Sequence, residues 1–218
     1  MSIITDRYLA QEERWPQAGR AILAQYDADS VQVYQAYRPS IGQFALQHGY
    51  FGGEFSFNRM TWIKPNFLWM MYRSSWGQSH GQEVVLAVRI KRSAFDAILG
   101  AAVHSTFRQH IYGTESHWRE RLRRSEVRLQ WDPDHAPSGA ALARRAVQLG
   151  LRGSVSRAYA REWIVDIKDM STFVAEQRDA LRVGGLASLM TPSEEPYPVA
   201  PEIAQHLELD DAPRDAAG

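Results

Sequence analysis

The segment EVVLAVRI (residues 83–90) constrains the fold of this chain more than any other. It is a continuous apolar run without polar alternation, which is typical of a strand buried on both faces. Around it, short strand patterns and short helix patterns follow one another without regular βαβ alternation. That mixture favours an α+β fold over a doubly wound parallel sheet.

The other elements follow from local periodicity and from start and stop signals. Pro39 at the start and Gly49 at the end bound one short helix. Leu142, Ala146 and Leu149 recur at helical spacing and predict another. The predicted strands are 31–37, 60–63, 83–90, 126–131 and 162–167, and the predicted helices are 18–26, 40–48, 65–72, 93–103, 118–124, 140–149 and 170–183.

The length of 218 residues suits one domain. We expect a single globular domain over residues 1–190. Residues 191–218 are acidic and rich in proline, and this composition predicts a flexible tail. The same composition leaves open an interaction domain whose tail engages a basic partner.

Composition excludes several function classes. The formal net charge is zero, so no global field attracts the chain to nucleic acid or to a membrane. There are no cysteines, which excludes disulfides, thiolate catalysis and cysteine zinc sites. The N-terminus has no hydrophobic signal core, and no apolar run is long enough to span a bilayer. We expect a cytoplasmic protein without a membrane partner, and the sequence carries no signal for its oligomeric state.

Known catalytic and phosphate-binding motifs are missing from the sequence. It contains neither G-x-x-x-x-G-K-[ST] nor G-x-G-x-x-G, and it has no G-x-S-x-G nucleophile elbow. Its seven histidines form no H-x-x-x-H pair. Asp132, Asp134 and His135 could gather around a divalent ion, but loop histidines are the simpler interpretation. We expect no metal.

An aromatic-rich segment, TWIKPNFLWMMYRSSWG (residues 61–77), holds one of only three lysines. A lysine among such neighbours is partly desolvated unless its stem reaches water. We predict that Lys64, Tyr72 and Arg73 line an aromatic-walled pocket for a planar anion such as a nucleotide. The alternative is that the tryptophans are core residues and that Lys64 extends to solvent.

Two further charged features have both a functional and a structural interpretation. The string RERLRR contains Arg119, Arg121, Arg123 and Arg124, a cluster that could bind the backbone of a nucleic acid. A solvated helix face is the usual explanation of such a cluster. Glu162 begins a predicted buried strand, where a carboxylate can face a cleft or simply lie in water.

Four strings in the chain, over residues 14–190, resemble the signature blocks of domain-of-unknown-function family 4291. They are VYQAYRPSIGQFAL, RMTWIKPNFLWMMYRSSW, VRLQWDPDH and RRAVQLGLRG. This resemblance implies no particular reaction.

Two shorter strings resemble motifs of the ADP-ribosyltransferase superfamily. YQAYR (residues 34–38) is similar to its aromatic-His-Gly-(Thr/Ser) strand, and YAREWIVDI (residues 159–167) is similar to its strand headed by a catalytic glutamate. The resemblance implies a split mixed or antiparallel sheet with flanking short helices. It also implies that Gln35 occupies the histidine position, Tyr37 the Thr/Ser position and Glu162 the catalytic position.

The remaining roles in that resemblance are less direct. Tyr72 is the candidate for the tyrosine that stacks on nicotinamide, and Arg38 could pair with a pyrophosphate. Ala36 replaces the usual glycine. The resemblance implies an NAD-dependent transferase that moves ADP-ribose to an unknown acceptor, for which RNA or DNA is a candidate. In that mechanism a carboxylate stabilises an oxocarbenium-like transition state. The alternative function is a non-catalytic module that binds nucleotides or nucleic acid through the arginines of residues 108–128 and aromatic side chains.

Overall fold

The computed structural model describes residues 3–210, which form a single-domain α+β fold. Most of its strands are short, and the longer ones all belong to the two main sheets. In chain order they are β1 Thr5–Arg7, β2 Gly19–Arg20, β3 Leu23–Ala24, β4 Ser30–Tyr37, β5 Thr61–Ile63, β6 Val84–Lys91, β7 Val103–His104, β8 Val127–His135, β9 Ala141–Leu151, β10 Ile164–Asp169, β11 Met190–Pro192 and β12 Glu195–Pro196.

The helices alternate irregularly with the strands along the chain. A π-helical turn, Tyr159–Trp163, immediately precedes β10, and a 3₁₀ turn, Gly185–Ser188, precedes β11. The α-helices are α1 Tyr8–Glu12, α2 Pro39–His48, α3 Phe67–Ser74, α4 Arg92–Ala101, α5 Gln109–Tyr112, α6 Glu115–Arg124, α7 Gly153–Ala158, α8 Ser171–Gly184 and α9 Pro201–Leu207.

The strands form two main sheets. In the first, β6 is central and pairs antiparallel with both β4 and β10. In the second, which is mixed, the order is β2-β9-β8-β7, and β5 pairs with another part of β9. The ribbons β1–β11 and β3–β12 complete the strand pairing described for residues 3–210. The predicted α+β fold with antiparallel and mixed sheets and short flanking helices is confirmed, whereas its likeness to the ADP-ribosyltransferase fold stays a prediction.

The central strand β6 is buried on both faces, as its uninterrupted apolar sequence predicts. Leu86 and Val88 point into a core between the two main sheets, which the second sheet fills with residues such as Leu149. Val85 and Ala87 alternate to the other face and pack in a second cluster with α3 and α8. Because side chains alternate along a strand, both faces must be apolar when both are covered.

The predicted joint after β4 is also confirmed. Pro39 begins α2, where its missing N–H costs no hydrogen bond. Gly49 ends the helix at a φ of 74°, in the left-handed region that favours glycine. The chain therefore turns sharply at Arg38, directly after the strand, and the end of β4 faces the segment between α2 and β5.

Two segments predicted as helices are strands. All but the first residue of the segment 140–149 lie in β9, because Val147, Leu149 and Leu151 also fit a period of two and pair antiparallel with β8. Residues 18–26 hold β2 and β3, which pair with the distant strands β9 and β12. Long-range pairing overrides local propensity at both places.

The acidic segment predicted to be flexible packs on the domain through residue 210. Thr191, Glu194 and Tyr197 are buried, and α9 lies against α4. Apolar and hydrogen-bonding residues interspersed among its acids provide these contacts. Residues 211–218 of the predicted tail lie outside the described residues.

Within residues 3–210, no helix is long and apolar enough to cross a bilayer.

Candidate functional site

A cavity of about 650 Å³ opens at the junction between the end of β4 and the start of α2. Its walls come from the end of β4, the start of α2, the loop between α2 and β5, β5 itself and α3. This size is within the range of small-molecule sites. The cavity gathers five residues predicted from the sequence as binding or catalytic, namely Gln35, Tyr37, Arg38, Lys64 and Arg73.

Gln35 is a buried hub of hydrogen bonds at the base of the cavity. Its Nε2 donates to Thr61 Oγ1 at 2.7 Å and lies 2.9 Å from the Tyr37 hydroxyl. Its Oε1 accepts from the Tyr159 hydroxyl at 2.6 Å. These bonds tie β4 to β5 and to the π-helical turn, so the Gln35 amide is occupied by the protein. Its placement suits a positioning role better than direct contact with a ribose.

Lys64 is the most unusual group in the cavity. The residue is 6% exposed, and among residues 3–210 its ammonium has no ion pair or hydrogen-bond partner. Its backbone carbonyl accepts from Tyr34 N at 2.7 Å, which joins the two main sheets and fixes the lysine in place. Burial lowers the pKa of Lys64 to about 8, with the Arg73 charge acting in the same direction and Asp132 opposing it.

Other cations surround Lys64. Arg59 and Arg73 line the cavity and form no ion pair within the described part of the chain. Arg38 pairs with Glu54 at 2.7 Å at the exposed mouth, where Ser40 Oγ also donates to Glu54. Four cations and one carboxylate leave the lining with an excess of positive charge. Such a lining favours an anionic ligand.

Aromatic and apolar side chains form the rest of the wall. Trp62 stands beside the cavity, and Phe55 and Met60 from the preceding loop complete this side. Trp62 lies against Gly150 of β9, where a Cβ would come within 3.0 Å of the indole. Glycine at this position therefore leaves room for Trp62.

Tyr72 does not line this cavity. Adjacent residues on a helix point about 100° apart, and here Arg73 faces the cavity while Tyr72 faces the surface near Gly139. Tyr72 stacks instead on His135, with ring centroids 3.5 Å apart, and on Trp69 at 5.4 Å. Met70 is on the same helix face as Arg73 and lines the cavity in its place. The predicted set of Lys64, Tyr72 and Arg73 is thus divided between two surfaces.

Glu162 also lies elsewhere. It is an exposed residue of the π-helical turn, two positions before β10 begins, and it is not among the residues that line the cavity. The predicted strand starts later than its apolar pattern indicates, because the turn takes up the first two residues. β10 and β4 flank β6 on opposite sides and are not direct neighbours. The cavity's carboxylate is Glu54.

The predicted arginine cluster lies on α6, away from the cavity. Arg119 and Arg124 pair with glutamates one turn earlier at 2.6 and 2.7 Å. Arg121 lies over the Tyr112 ring. Arg123 gives its backbone carbonyl to Arg152. Such exposed pairs fit the interpretation of a solvated helix face.

Two residues of the site carry no signal of their role in the sequence. Arg59 and Glu54 sit in the loop between α2 and β5, and only its path back to β4 brings them to the cavity. Asp132 lies near Lys64, and its two oxygens accept from Gln130 and Gln148, both at 2.8 Å. Asp134, which was considered together with Asp132 and His135 for a metal, instead forms a buried ion pair at 2.7 Å with Arg144.

Comparison with family models matches residues 21–197 to the family described as Domain of unknown function (DUF4291). The match covers β3 to β12 and therefore includes the whole cavity lining. No curated protein matches the chain. The comparisons add no support for the shorter ADP-ribosyltransferase strings.

Proposed function

The chain belongs to the DUF4291 family, and we propose that the cavity beside β4 binds a nucleotide whose phosphates lie against Lys64, Arg59 and Arg73. The observation that carries this proposal is the unpaired ammonium of Lys64, a residue that is 6% exposed and lines the cavity. A buried charge without a partner is costly to the folded state. An anion that enters the cavity supplies the missing partner.

The rest of the lining supports a ligand that is more than a bare anion. Trp62 and Phe55 offer flat apolar surfaces near the cations. A nucleotide combines phosphates with a planar base and fits this division of charged and aromatic walls. Arg59 and Arg73 can form bidentate hydrogen bonds to phosphate oxygens, whereas Lys64 acts as a point charge.

NAD is the nucleotide that the proposal assigns first, with ADP-ribosyl transfer as the reaction. In that reaction the bond between C1′ of the ribose and the nicotinamide nitrogen breaks, and neutral nicotinamide leaves with the bonding electrons. An acceptor oxygen or nitrogen then bonds to C1′ and loses its proton to a base or to water. A carboxylate near C1′ stabilises the developing positive charge.

The proposal gives that carboxylate role to Glu54. It lines the cavity and is oriented by Arg38 and Ser40, whereas Glu162 is outside the lining. Gln35 and Tyr37 act behind this surface by fixing the end of β4 against Thr61.

A non-catalytic nucleotide-binding module is the second candidate, since the same unpaired Lys64 supports binding without turnover. Turnover separates the two candidates: the module binds NAD or ADP-ribose and leaves NAD intact.

Binding is tested by titrating the full chain with NAD, ADP-ribose and adenosine in a calorimeter. We expect the phosphate-bearing ligands to bind and adenosine to bind much more weakly. Lys64→Met should weaken binding by about tenfold or more, since a hydrogen bond to a charged group contributes about 1.5–3 kcal/mol. Lys91→Met is the matched control, because Lys91 is exposed at the end of β6 and outside the cavity. Equal loss in both variants, or no binding by the wild type, refutes the proposal.

Turnover is tested by measuring nicotinamide release from NAD. Glu54→Gln should lower the rate by about 10²-fold, in the range of losses found when one group that stabilises a transition state is removed. Glu162→Gln is the comparison and should retain the wild-type rate. If Glu162→Gln lowers the rate and Glu54→Gln does not, the catalytic carboxylate is Glu162, as the sequence resemblance implies. Binding without measurable release assigns the chain to the non-catalytic candidate.

A further inference from the structure

The outer face of the second sheet continues from the cavity past Trp62. Trp62 pairs across the sheet with Gly150, and Gly150 pairs with Arg128 of β8. Directly paired residues point to the same side of a sheet, and adjacent strands lie about 4.8 Å apart. The Arg128 side chain is therefore on the same face as the indole, with the two Cα atoms roughly 10 Å apart. Gly150 between them carries no side chain, and the Trp62 indole and the Met60 sulfur lie over it.

Arg128 resembles Lys64 in lacking a counter-ion. Its Nε is buried without a hydrogen-bond partner, and within residues 3–210 it forms no ion pair. The acid closest in sequence, Glu126, is engaged elsewhere, because it accepts hydrogen bonds from the backbone of Ser154 and Val155 at the start of α7. Burial lowers the pKa of Arg128, and the nearby Arg152 charge adds to this effect. Arg128 thus lies beside Arg152 and forms no ion pair of its own, whereas Glu126 lies near Arg152.

Arg152 extends the positive surface toward α6. Its Nε donates to the carbonyl of Ser125 at 2.9 Å, and its Nη2 donates to the carbonyl of Arg123. These contacts hold the guanidinium at the C-terminal end of the helix. The cations of the cavity, Trp62, Arg128 and Arg152 therefore follow one another along one side of the molecule.

From this arrangement we infer that the surface formed by Trp62, Arg128 and Arg152 binds single-stranded nucleic acid and leads one end of the strand to the cavity. An aromatic platform between unpaired cations matches a base between its flanking phosphates. An acidic peptide would satisfy the arginines but would leave the indole unused. A role of this nucleic acid as the acceptor of ADP-ribose rests on the proposed function. Its binding to this surface does not.

The inference changes the residues expected to matter. Arg119 and Arg124 of α6 already pair with glutamates, so they contribute less than Arg128. Gln130 and Gln148 lie on the same face next to Arg128 and Gly150, and each commits its amide nitrogen to Asp132. Their carbonyl oxygens remain available to accept from a base.

Fluorescence anisotropy of a labelled 12-nucleotide single strand, as RNA and as DNA, tests the inference on the full chain. We expect Arg128→Ala to weaken binding about tenfold and to lower the slope of log K against log salt by about 0.7. Trp62→Ala should weaken binding by roughly fivefold or more, the loss of one stacked base. Arg128→Lys should restore the salt slope, which separates loss of charge from misfolding. Arg119→Ala is the matched control on α6 and should bind like the wild type.

Three results overturn the inference: no binding of either strand, equal weakening by Arg119→Ala and Arg128→Ala, or a poly-glutamate peptide that competes as well as an unlabelled strand. Parallel titration with ADP-ribose keeps the two proposals apart. Strand binding that depends on Arg128, in a protein that does not bind ADP-ribose, refutes the cavity ligand and leaves this surface standing. Binding of ADP-ribose without binding of the single strand refutes the nucleic-acid surface and leaves the cavity ligand standing.

Discussion

The charge of Lys64 should make ligand affinity fall as the pH rises. Its folded-state pKa of about 8 means that the side chain is about 90% protonated at pH 7 and about 10% protonated at pH 9. A ligand such as ADP-ribose keeps its own charge over this range and binds the protonated form. Its apparent affinity for the protein is therefore about tenfold lower at pH 9 than at pH 7. That loss corresponds to about 1.4 kcal/mol.

The titration of Lys64 is separated from that of Tyr37, which also lines the cavity. Burial raises the pKa of Tyr37 to about 12 and lowers the pKa of Lys64 to about 8, so the Tyr37 hydroxyl does not change its charge between pH 7 and pH 9.

Calorimetric titration with ADP-ribose at pH 6.5, 7, 8 and 9 measures the effect. Binding at pH 9 should also take up protons, because the phosphate favours the protonated lysine; titrations in buffers of different ionisation heat detect this. Lys64→Arg keeps its charge throughout and should show a flat profile. Affinity that does not change with pH in the wild type, or a decline that persists in Lys64→Met, refutes the assignment of the buried charge.

Three further predictions concern stability, each measured by urea denaturation. Arg144→Ala should lower the free energy of unfolding by about 3–5 kcal/mol, because it leaves Asp134 buried without its partner; a loss below about 1 kcal/mol contradicts this. Burial raises the pKa of Glu194, so its contribution is fully present below pH about 4.3 and is lost as the pH rises through the folded-state pKa. Glu194→Gln should flatten the pH profile and keep the hydrogen bond from Phe67 N, and an unchanged profile would show that Glu194 is not the cause. Gly49→Ala should cost about 1 kcal/mol from its positive φ alone, since nothing crowds the added Cβ; no loss would mean that the helix end shifts freely.

The sequence predicts an element correctly where its local pattern also reflects how that element packs. The apolar run of β6 specifies burial on both faces, and Pro39 with Gly49 specifies α2. Lys64 could be found because a lysine between Trp62 and Pro65 is unusual in a chain that has only three lysines. These signals are contained in a few adjacent residues, so no knowledge of distant contacts is needed.

The sequence predictions are wrong where contacts with distant parts of the chain determine the local structure. β9 has apolar residues at both helical and strand spacings, and its pairing with β8, β5 and β2 selects the strand. Glu162 looks like the head of a strand, but the π-helical turn displaces β10 by two residues. Arg59 and Glu54 belong to the cavity through the path of a loop, for which the sequence has no periodic signal.

The burial of Glu194 links the C-terminal segment to the cavity. Its carboxylate accepts from Phe67 N and from Asn66 Nδ2 at the start of α3, the helix that carries Arg73. Detaching that segment would fray the first turn of α3 and loosen one cavity wall. By reciprocity, a bound ligand should slow proteolytic clipping near residue 195, so protease resistance of the chain's end could report occupancy of a cavity that the protease never enters.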